Sequence, residues 1–272
     1  MGEGIFEKKK ILIWGKTYPE LSTKHLETVC TGGVFEDGQP VRLYPIPFRY
    51  LNGDDQFKKY QWVTVYVKRN LSDFRPESYK IDVRQNIDCG EVIPPTKDEW
   101  GKRADELFKF DGWQFGSVDE LQAAQKAHHT SLGVLTPREI LDIRLVARSD
   151  QDKQTFSEKM ARIKAIDNQP FLFEDMLPPE LKHIEYIESR IRIDWKCHEP
   201  NCNVHKMQIL DWEVLELQRK TSHEKALAKV KEVCDLTTHA TRFFLGNIHQ
   251  HPMAFTIVGL WYPKRELAPR LF

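Results

Sequence analysis

The sequence predicts an α+β fold: a curved N-terminal β-sheet or small OB-like barrel, a helical middle segment, and a C-terminal α+β unit with a Cys/His knuckle. Three observations predict it. Short apolar runs separated by turn residues fill the first third, helix-start signals follow, and two cysteines and a histidine lie close together near position 200. We therefore divide the chain into a β-rich barrel-like domain at residues 1–95, a helical segment at 96–150 and an α+β domain at 151–272.

Composition sets limits on the function. Of the 272 residues, 40% are hydrophobic, which is enough for a sizeable core. Lysine plus arginine and aspartate plus glutamate number 40 each, so no overall positive charge favours nucleic acid, although a local basic face remains compatible with a neutral total. No stretch resembles a signal peptide or a membrane span. We expect a cytoplasmic protein with no membrane partner.

The first third is predicted to be β-structure. Apolar runs predict strands at residues 11–14, 29–35, 41–46, 62–67 and 79–83. Asp37-Gly38 lies between two of these runs and is a hairpin signal. Strands joined by such tight turns favour a small barrel or a strongly curved sheet.

The remaining two thirds alternate between helices and strands. Helices are predicted at residues 100–108, 117–127, 157–166 and 212–233, with Asp211 as the N-cap of the last. Strands are predicted at 140–146, 189–195, 207–210, 242–245 and 255–261. The polar stretch at 149–155 is predicted to be a mobile loop or a domain boundary.

A metal-ligand pattern marks the C-terminal unit, where Cys197, Cys202 and His205 lie within nine residues. Thiolate and imidazole are the ligands that zinc prefers, so this trio is typical of most of a tetrahedral site. The spacing C-x4-C-x2-H departs from the common zinc fingers, and no fourth ligand follows at a regular interval. We predict a structural zinc ion here; a tight turn with two free cysteines is the alternative.

Basic and aromatic side chains recur in the first third, a combination typical of proteins that bind single-stranded nucleic acid. The predicted contacts are Arg42, Tyr44, Arg49, Tyr50, Lys58, Lys59 and Trp62. Rings on a small barrel stack on bases, while lysine and arginine contact phosphates. We predict single-stranded nucleic acid as the partner. The opposing interpretation assigns the rings to the barrel core and the cations to its solvated surface.

A metal-assisted hydrolase or nuclease is the alternative function, so enzymatic activity stays open. His249 and His251 form an H-x-H pair in a predicted hairpin loop, and Asp211 and Glu213 follow a predicted strand. Histidines and carboxylates of this kind bind metals or transfer protons in phosphodiester chemistry. An ordinary polar loop and a helix cap explain the same residues more simply.

The last prediction concerns the fourth metal ligand, which the local Cys/His pattern lacks. Consecutive strands usually neighbour one another, so we expect the loop at residues 246–252 to lie near the Cys/His turn. His249 or His251 would then complete the coordination. Cys234, at the end of the predicted long helix, is a competing candidate.

Overall fold

The computed structural model describes residues 5–22, 25–96, 99–167 and 182–267. Its N-terminal strands are β1 (Glu7–Lys16), β2 (Glu20–Ser22), β3 (Leu26–Phe35), β4 (Pro40–Ile46), β5 (Gln61–Arg69), β6 (Ser78–Ile81) and β7 (Asp88–Val92). The later strands are β8 (Gln114–Phe115), β9 (Leu132–Leu135), β10 (Glu139–Ala147), β11 (Ser189–Lys196), β12 (His205–Gln208), β13 (Arg242–Ile248) and β14 (His251–Trp261). The α-helices are α1 (Glu99–Leu107), α2 (Val118–His128), α3 (Asp150–Asp167), α4 (Trp212–Lys220) and α5 (His223–Val233).

Five of the N-terminal strands close into a barrel. They follow one another in the order β1-β3-β4-β6-β5, and β5 pairs with β1 to close the ring. Neighbouring strands are antiparallel except β4 and β6, which run parallel. In addition, β2 pairs with β3 and β7 pairs with β5. The predicted α+β fold with a small OB-like barrel is confirmed.

Close packing of Trp14 against β3 explains the Gly32-Gly33 pair. A Cβ on Gly32 would lie 2.2 Å from the Trp14 ring, and one on Gly33 would lie 2.4 Å from Ile11. The pairing register also shifts in the β1–β3 pair between Ile13 and Gly15, and in the β3–β4 pair between Val29 and Thr31. Glycines and bulges let strands bend sharply, which a closed ring of only five strands requires.

Two apolar clusters use the barrel strands. The first fills the interior, with Ile13, Val41, Leu43, Val63 and Val65 among its members. The second joins the barrel to α1 and the C-terminal sheet, with Trp14, Trp100, Trp113, Phe244 and Trp261 among its members. Trp14 stacks on Phe244 with ring centroids 4.6 Å apart. Because each large buried side chain contributes roughly 1.5–3 kcal/mol, the second cluster is a strong connection between the two parts.

The C-terminal unit contains two sheets, ordered β10-β11-β12 and β14-β13-β9-β8. The segment after β12 joins them, because Ile209 forms a parallel bridge with Ile257 of β14. Farther along, Asp211 bridges to Thr17 of the barrel part. A large apolar cluster draws members from both sheets and from α5, among them Ile193, Trp195, Val230 and Leu245. No α-helix in the described residues is long and apolar enough to cross a membrane.

Helix capping corrects two sequence predictions. Residues 150–155 are not a loop but the first turns of α3, and Ser149 caps this helix because its Oγ accepts a hydrogen bond from the Asp152 backbone N–H at 3.1 Å. The long helix predicted at 212–233 is two helices. Ser222 interrupts it, since its hydroxyl caps the first turn of α5. In both places a local side-chain cap determines where the helix begins, and the polar or charged composition of the wider stretch does not.

Candidate nucleic-acid interface and metal centre

The β11–β12 hairpin brings Cys197, Cys202 and His205 together. Trp195 pairs with His205 across the hairpin, and the connecting turn carries both cysteines. The Cys202 sulfur lies 2.9 Å from the Cys197 sulfur and 3.1 Å from Nε2 of His205. All three ligand atoms lie within 4.8 Å of one another, a span that bonds of roughly 2.0–2.3 Å to one ion can bridge. This group could hold a metal ion.

The three side chains lie at the edge of the C-terminal core, and burial there shifts the pKa of two of them. Cys197 is buried, whereas Cys202 and His205 are half-buried. Burial lowers the pKa of His205, which favours the neutral imidazole that binds metals. Burial raises the pKa of the Cys202 thiol, and the Cys197 backbone N–H, which donates to that sulfur at 3.2 Å, opposes the rise. The His205 ring lies against Trp195, with centroids 5.0 Å apart.

The other candidate metal ligands lie apart from this group. The His249 ring contacts Phe74, and its Nε2 lies 3.9 Å from Oδ1 of Asp73. His251 is exposed at the start of β14. Cys234 belongs to the C-terminal core, where burial raises its pKa to about 12. In the described part of the chain, no fourth His, Cys, Asp or Glu joins the group and no second group of this kind exists.

Asp211 and Glu213 belong to an ion-pair cluster between α4 and the barrel. Asp211 caps α4 by accepting a hydrogen bond from the Glu213 backbone N–H at 2.8 Å. Lys59 Nζ lies 3.3 Å from a carboxylate oxygen of each residue. Burial disfavours the charged amine, but the negative charges around it, with Asp211 the largest contributor, together outweigh burial and raise the pKa of Lys59. Both carboxylates therefore have a structural cation beside them.

A cleft of about 140 Å³ lies on the barrel face formed by β3 and β4, where the C-terminal unit approaches it. We call it the β3–β4 cleft. Its lining includes Thr28, Cys30, Arg42 and Tyr44 from the barrel and Arg190, Gly246, Asn247 and Thr256 from the C-terminal unit. In OB-like barrels the face of the second and third ring strands is where oligonucleotides bind, and β3 and β4 hold those positions here.

Arg42 lies buried in the β3–β4 cleft with part of its guanidinium engaged. Nη1 donates to the Cys30 sulfur at 3.2 Å, and Nη2 donates to the Ser131 carbonyl at 3.0 Å. A Cβ on Gly246 would lie only 3.3 Å from Nη2, so glycine leaves room for the close approach. Nε has no hydrogen-bond partner among the described residues. One donor of a buried cation is therefore unused.

Two further cleft residues carry unpartnered polar atoms. Within the described residues, neither Nη1 of Arg190 nor Oδ1 of Asn247 has a hydrogen-bond partner. Tyr44 borders the same cleft and is 36% exposed. Buried polar groups almost always have partners, so a concentration of unpartnered ones indicates a place where a ligand or water is held.

Arg49 and Tyr50, two of the predicted nucleic-acid contacts, bond to other parts of the protein. Arg49 Nε donates to Oε2 of the buried Glu27 at 2.7 Å, and Nη1 donates to the His183 carbonyl at 2.7 Å. The Tyr50 hydroxyl accepts a hydrogen bond from the Lys182 backbone N–H at 2.9 Å. These contacts hold the segment that precedes β11 against the barrel.

The remaining predicted contacts are distributed over the molecule. Lys58 is exposed, whereas the neighbouring Lys59 is in the ion-pair cluster with Asp211. Trp62 lies on β5, with the Lys10 ammonium 4.9 Å from its ring centroid. Of the seven residues, Arg42 and Tyr44 are the two that line the β3–β4 cleft.

An exposed aromatic residue lies on the loop between β5 and β6, residues 70–77. Phe74 is 40% exposed, and its ring lies 5.5 Å from that of His129 and 5.2 Å from that of His249. The neighbouring loop residue Arg75 contacts the Asn247 carbonyl at 3.5 Å, and Asn247 lines the β3–β4 cleft. The loop that carries Phe74 therefore lies beside the β3–β4 cleft.

Asp73 fixes the conformation of this loop. Its carboxylate accepts hydrogen bonds from the Arg75 guanidinium at 2.7 Å and from the Ser78 hydroxyl at 2.7 Å. Burial alone would raise the pKa of Asp73, but these hydrogen bonds outweigh it and lower the pKa to about 2. The carboxylate is therefore ionised at neutral pH and orders the loop that presents Phe74.

Sequence reasoning missed Phe74, Arg190 and Asn247. Phe74 had a usable signal, since a lone aromatic residue between Asp73 and Arg75 in a polar loop is poorly placed for a core. Arg190 alternates with Ile191 in β11, a pattern that predicts exposure to solvent. It is instead 9% exposed, because distant elements cover it.

Two family models match the chain. Residues 114–272, more than half of the chain, match the domain of unknown function DUF8757, and the chain belongs to this family. Residues 7–109 match a second domain of unknown function, DUF8758. No curated protein matches the chain.

One similar solved structure is described as a replication protein A heterotrimer bound to ssDNA. The sequence identity is 8% and the TM-score is 0.33. The match covers 89% of this chain and 44% of that one, so the chain spans less than half of its length. At this TM-score the likeness carries no functional argument.

Proposed function

We propose that the chain binds single-stranded nucleic acid in the β3–β4 cleft, with a structural zinc ion at the Cys/His hairpin. The observation that carries the first part is the pair of buried arginines, Arg42 and Arg190, each with a donor that has no partner among the described residues. An unsatisfied buried donor costs about 1–3 kcal/mol. Phosphate oxygens would satisfy both donors through charge-assisted hydrogen bonds.

Exposed rings beside the cleft supply the second part of single-strand recognition. Tyr44 borders the cleft, and Phe74 lies on the adjoining loop. Each ring can stack on a base, which contributes about 1–3 kcal/mol without sequence preference. The neutral net charge does not oppose this proposal, because phosphate contacts depend on local cations rather than on the total.

Zinc is the proposed metal because of the donor set. Two thiolates and an imidazole suit zinc, whereas magnesium and calcium prefer oxygen ligands. Cys197 belongs to the C-terminal apolar cluster, and Cys202 packs against it. An ion held here would tie the β11–β12 turn to that core, so its binding free energy would contribute to folding.

The hydrolase alternative has one observation in its favour. The described group contains three ligands, and catalytic zinc sites also have three protein ligands and one open position. The residues predicted to do chemistry lie outside that group: Asp211 pairs with Lys59, and His249 lies against Phe74. Structural zinc therefore has the stronger support.

The direct test is fluorescence anisotropy with a labelled oligo(dT) at several salt concentrations. We expect Tyr44→Ala and Phe74→Ala each to weaken binding about fivefold or more, since each removes one stacking ring. Tyr66→Ala and Phe110→Ala are matched controls, because these rings are 37% exposed and line neither the cleft nor the loop. The controls should bind like wild type.

Binding should weaken as salt increases, because phosphate contacts release counterions. Circular dichroism must show that each variant is folded. Absence of binding at low salt by folded wild-type protein would overturn the proposal, as would equal losses in the test variants and their controls.

A further inference from the structure

A second cavity adjoins the β3–β4 cleft, and Arg190 lies between the two. The second cavity has a volume of about 210 Å³ and lies between the start of α3 and the segment that contains β2. Tyr18, Glu20 and Arg190 line both cavities. The two cavities therefore share part of a wall, which includes Arg190.

Arg190 is a buried cation, and one of its guanidinium nitrogens lacks a hydrogen-bond partner among the described residues. The residue is 9% exposed, and Nη1 has no hydrogen-bond partner within the described residues. Burial, with a smaller effect of the nearby Arg148 charge, lowers the pKa of Arg190 to about 10, so the guanidinium stays protonated at neutral pH. A buried charge of this kind is stable only with a counter-charge, and an anionic ligand would supply it.

The described residues that line the second cavity include three cations, Arg148, Lys159 and Arg190, and three carboxylates, Glu20, Asp152 and Glu185. Asp152 pairs with Arg148 at 3.6 Å, and Glu185 lies 3.5 Å from Arg219, which also pairs with Glu216 at 2.7 Å. Among the described residues, neither Lys159 nor Arg190 forms an ion pair, and Glu20 is exposed. Arg190 and Lys159 together are suited to an anion with more than one negative charge.

Part of the wall of the second cavity is apolar. Leu21, Phe156, Ile184 and Ile187 line it, and Leu21 and Ile184 belong to a small buried cluster. A charged backbone that continued through this wall would lose its hydration without gaining partners. The cavity thus suits the end of a strand better than its middle.

We propose that the second cavity binds the terminal phosphate of the single strand that lies in the β3–β4 cleft, an inference that rests on the proposed function. A terminal phosphate monoester carries close to two negative charges at neutral pH, whereas an internal diester carries one. Arg190 holds the terminal group in a forked, charge-assisted contact, with Lys159 as the second cation. The same phosphate chemistry is present on a 5′ end, on a 3′ end and in free pyrophosphate.

The test compares oligo(dT) with a 5′-phosphate, with a 3′-phosphate and with hydroxyls at both ends. Wild type is expected to bind one phosphorylated end about tenfold more tightly than the unphosphorylated strand, and Arg190→Gln should abolish that preference. Glu20→Gln, at an exposed position, should increase the preference because it removes the opposing charge. Lys153→Gln is the control, since Lys153 lies on α3 outside the cavity and pairs with Glu188.

Two results separate this inference from the proposed function. If wild type binds all three strands equally, or if Glu20→Gln leaves the preference unchanged, the terminal-phosphate site is refuted while single-strand binding stands. If no strand binds but pyrophosphate raises the melting temperature of wild type and not of Arg190→Gln, the phosphate site stands and the single-strand proposal fails.

Discussion

The Cys/His hairpin and the β3–β4 cleft are built in opposite ways. The hairpin takes Cys197, Cys202 and His205 from one turn and its flanking strand. The cleft takes its polar groups from positions as far apart as Arg42 and Asn247, which only the packing of the barrel on the C-terminal unit brings together. The first site follows from local chain geometry and the second from the tertiary fold.

The two regions also differ in how their polar atoms are satisfied. In the hairpin, the Cys202 sulfur has hydrogen-bonding neighbours in Cys197 and His205. In the cleft, Arg42 and Arg190 retain donors without partners among the described residues. Natural proteins keep unsatisfied buried groups mainly at functional sites, so the cleft has the stronger claim to bind a ligand reversibly.

The largest expected effect is the loss of stability when a metal ligand of the Cys/His hairpin is removed. Cys202→Ser should abolish zinc binding and destabilise the protein by about 5 kcal/mol or more, because metal binding is coupled to folding. The melting temperature should fall by about 10–20 °C. Elemental analysis and thermal unfolding measure both quantities.

Cys89→Ser is the control for this change, since Cys89 is half-buried on β7, outside the metal group. It should keep the zinc content of wild type. Wild-type protein with substoichiometric zinc, together with a Cys202→Ser variant that melts like wild type, would contradict a structural metal.

Lys59 sharpens the comparison because it is a buried cation that forms ion pairs with Asp211 and Glu213. In the described part of the chain, Arg190 forms no ion pair. Lys59→Met would leave the buried Asp211 carboxylate unpaired, and we expect a loss of about 3–5 kcal/mol in the free energy of unfolding. Lys58→Met, at the exposed neighbouring position, should change it by less than about 0.5 kcal/mol. Urea unfolding measures the loss for each variant. Equal losses for Lys59→Met and Lys58→Met would refute a structural role for the Lys59 ion pairs.

Asp73 gives a pH-dependent test of the loop beside the cleft. Its folded pKa of about 2 lies below the ordinary value of 3.8, so its stabilisation is present above pH 4 and is lost as the pH falls towards 2. Asp73→Asn should cost roughly 2 kcal/mol near neutrality, and the difference from wild type should shrink through that window. Exposed Asp54→Asn is the control; a constant difference between pH 5 and 2 for Asp73→Asn would contradict the assignment.

The smallest expected effect on binding concerns Arg49. Its guanidinium is engaged with Glu27 and with the carbonyls of residues 182 and 183. Arg49→Ala should therefore lower stability by about 3–5 kcal/mol, because it leaves the buried Glu27 carboxylate without its cation, yet leave the salt dependence of oligonucleotide affinity unchanged. If the slope of log affinity against log salt falls by about one, Arg49 contacts phosphate directly.

Local patterns explain how much the sequence could predict. The apolar runs of β1, β3, β4 and β5 and the Cys/His spacing are short-range signals, and each led to the correct element or group. The capping by Ser149 and Ser222 was also a local signal, but the surrounding charge pattern obscured it. The burial of Arg190 had no local signal, because it depends on packing between segments far apart in the chain.

The most direct test of the central claim is photocrosslinking of oligo(dT) that carries 4-thiothymidine, followed by mass spectrometry of the crosslinked peptides. We predict crosslinks to the peptides that contain Tyr44 and Phe74, the exposed rings beside the β3–β4 cleft. Unlabelled oligonucleotide should compete them away, and they should weaken with added salt. Crosslinks confined to the peptide that contains Trp62 on β5, or none at low salt with folded protein, would contradict a single strand in the cleft.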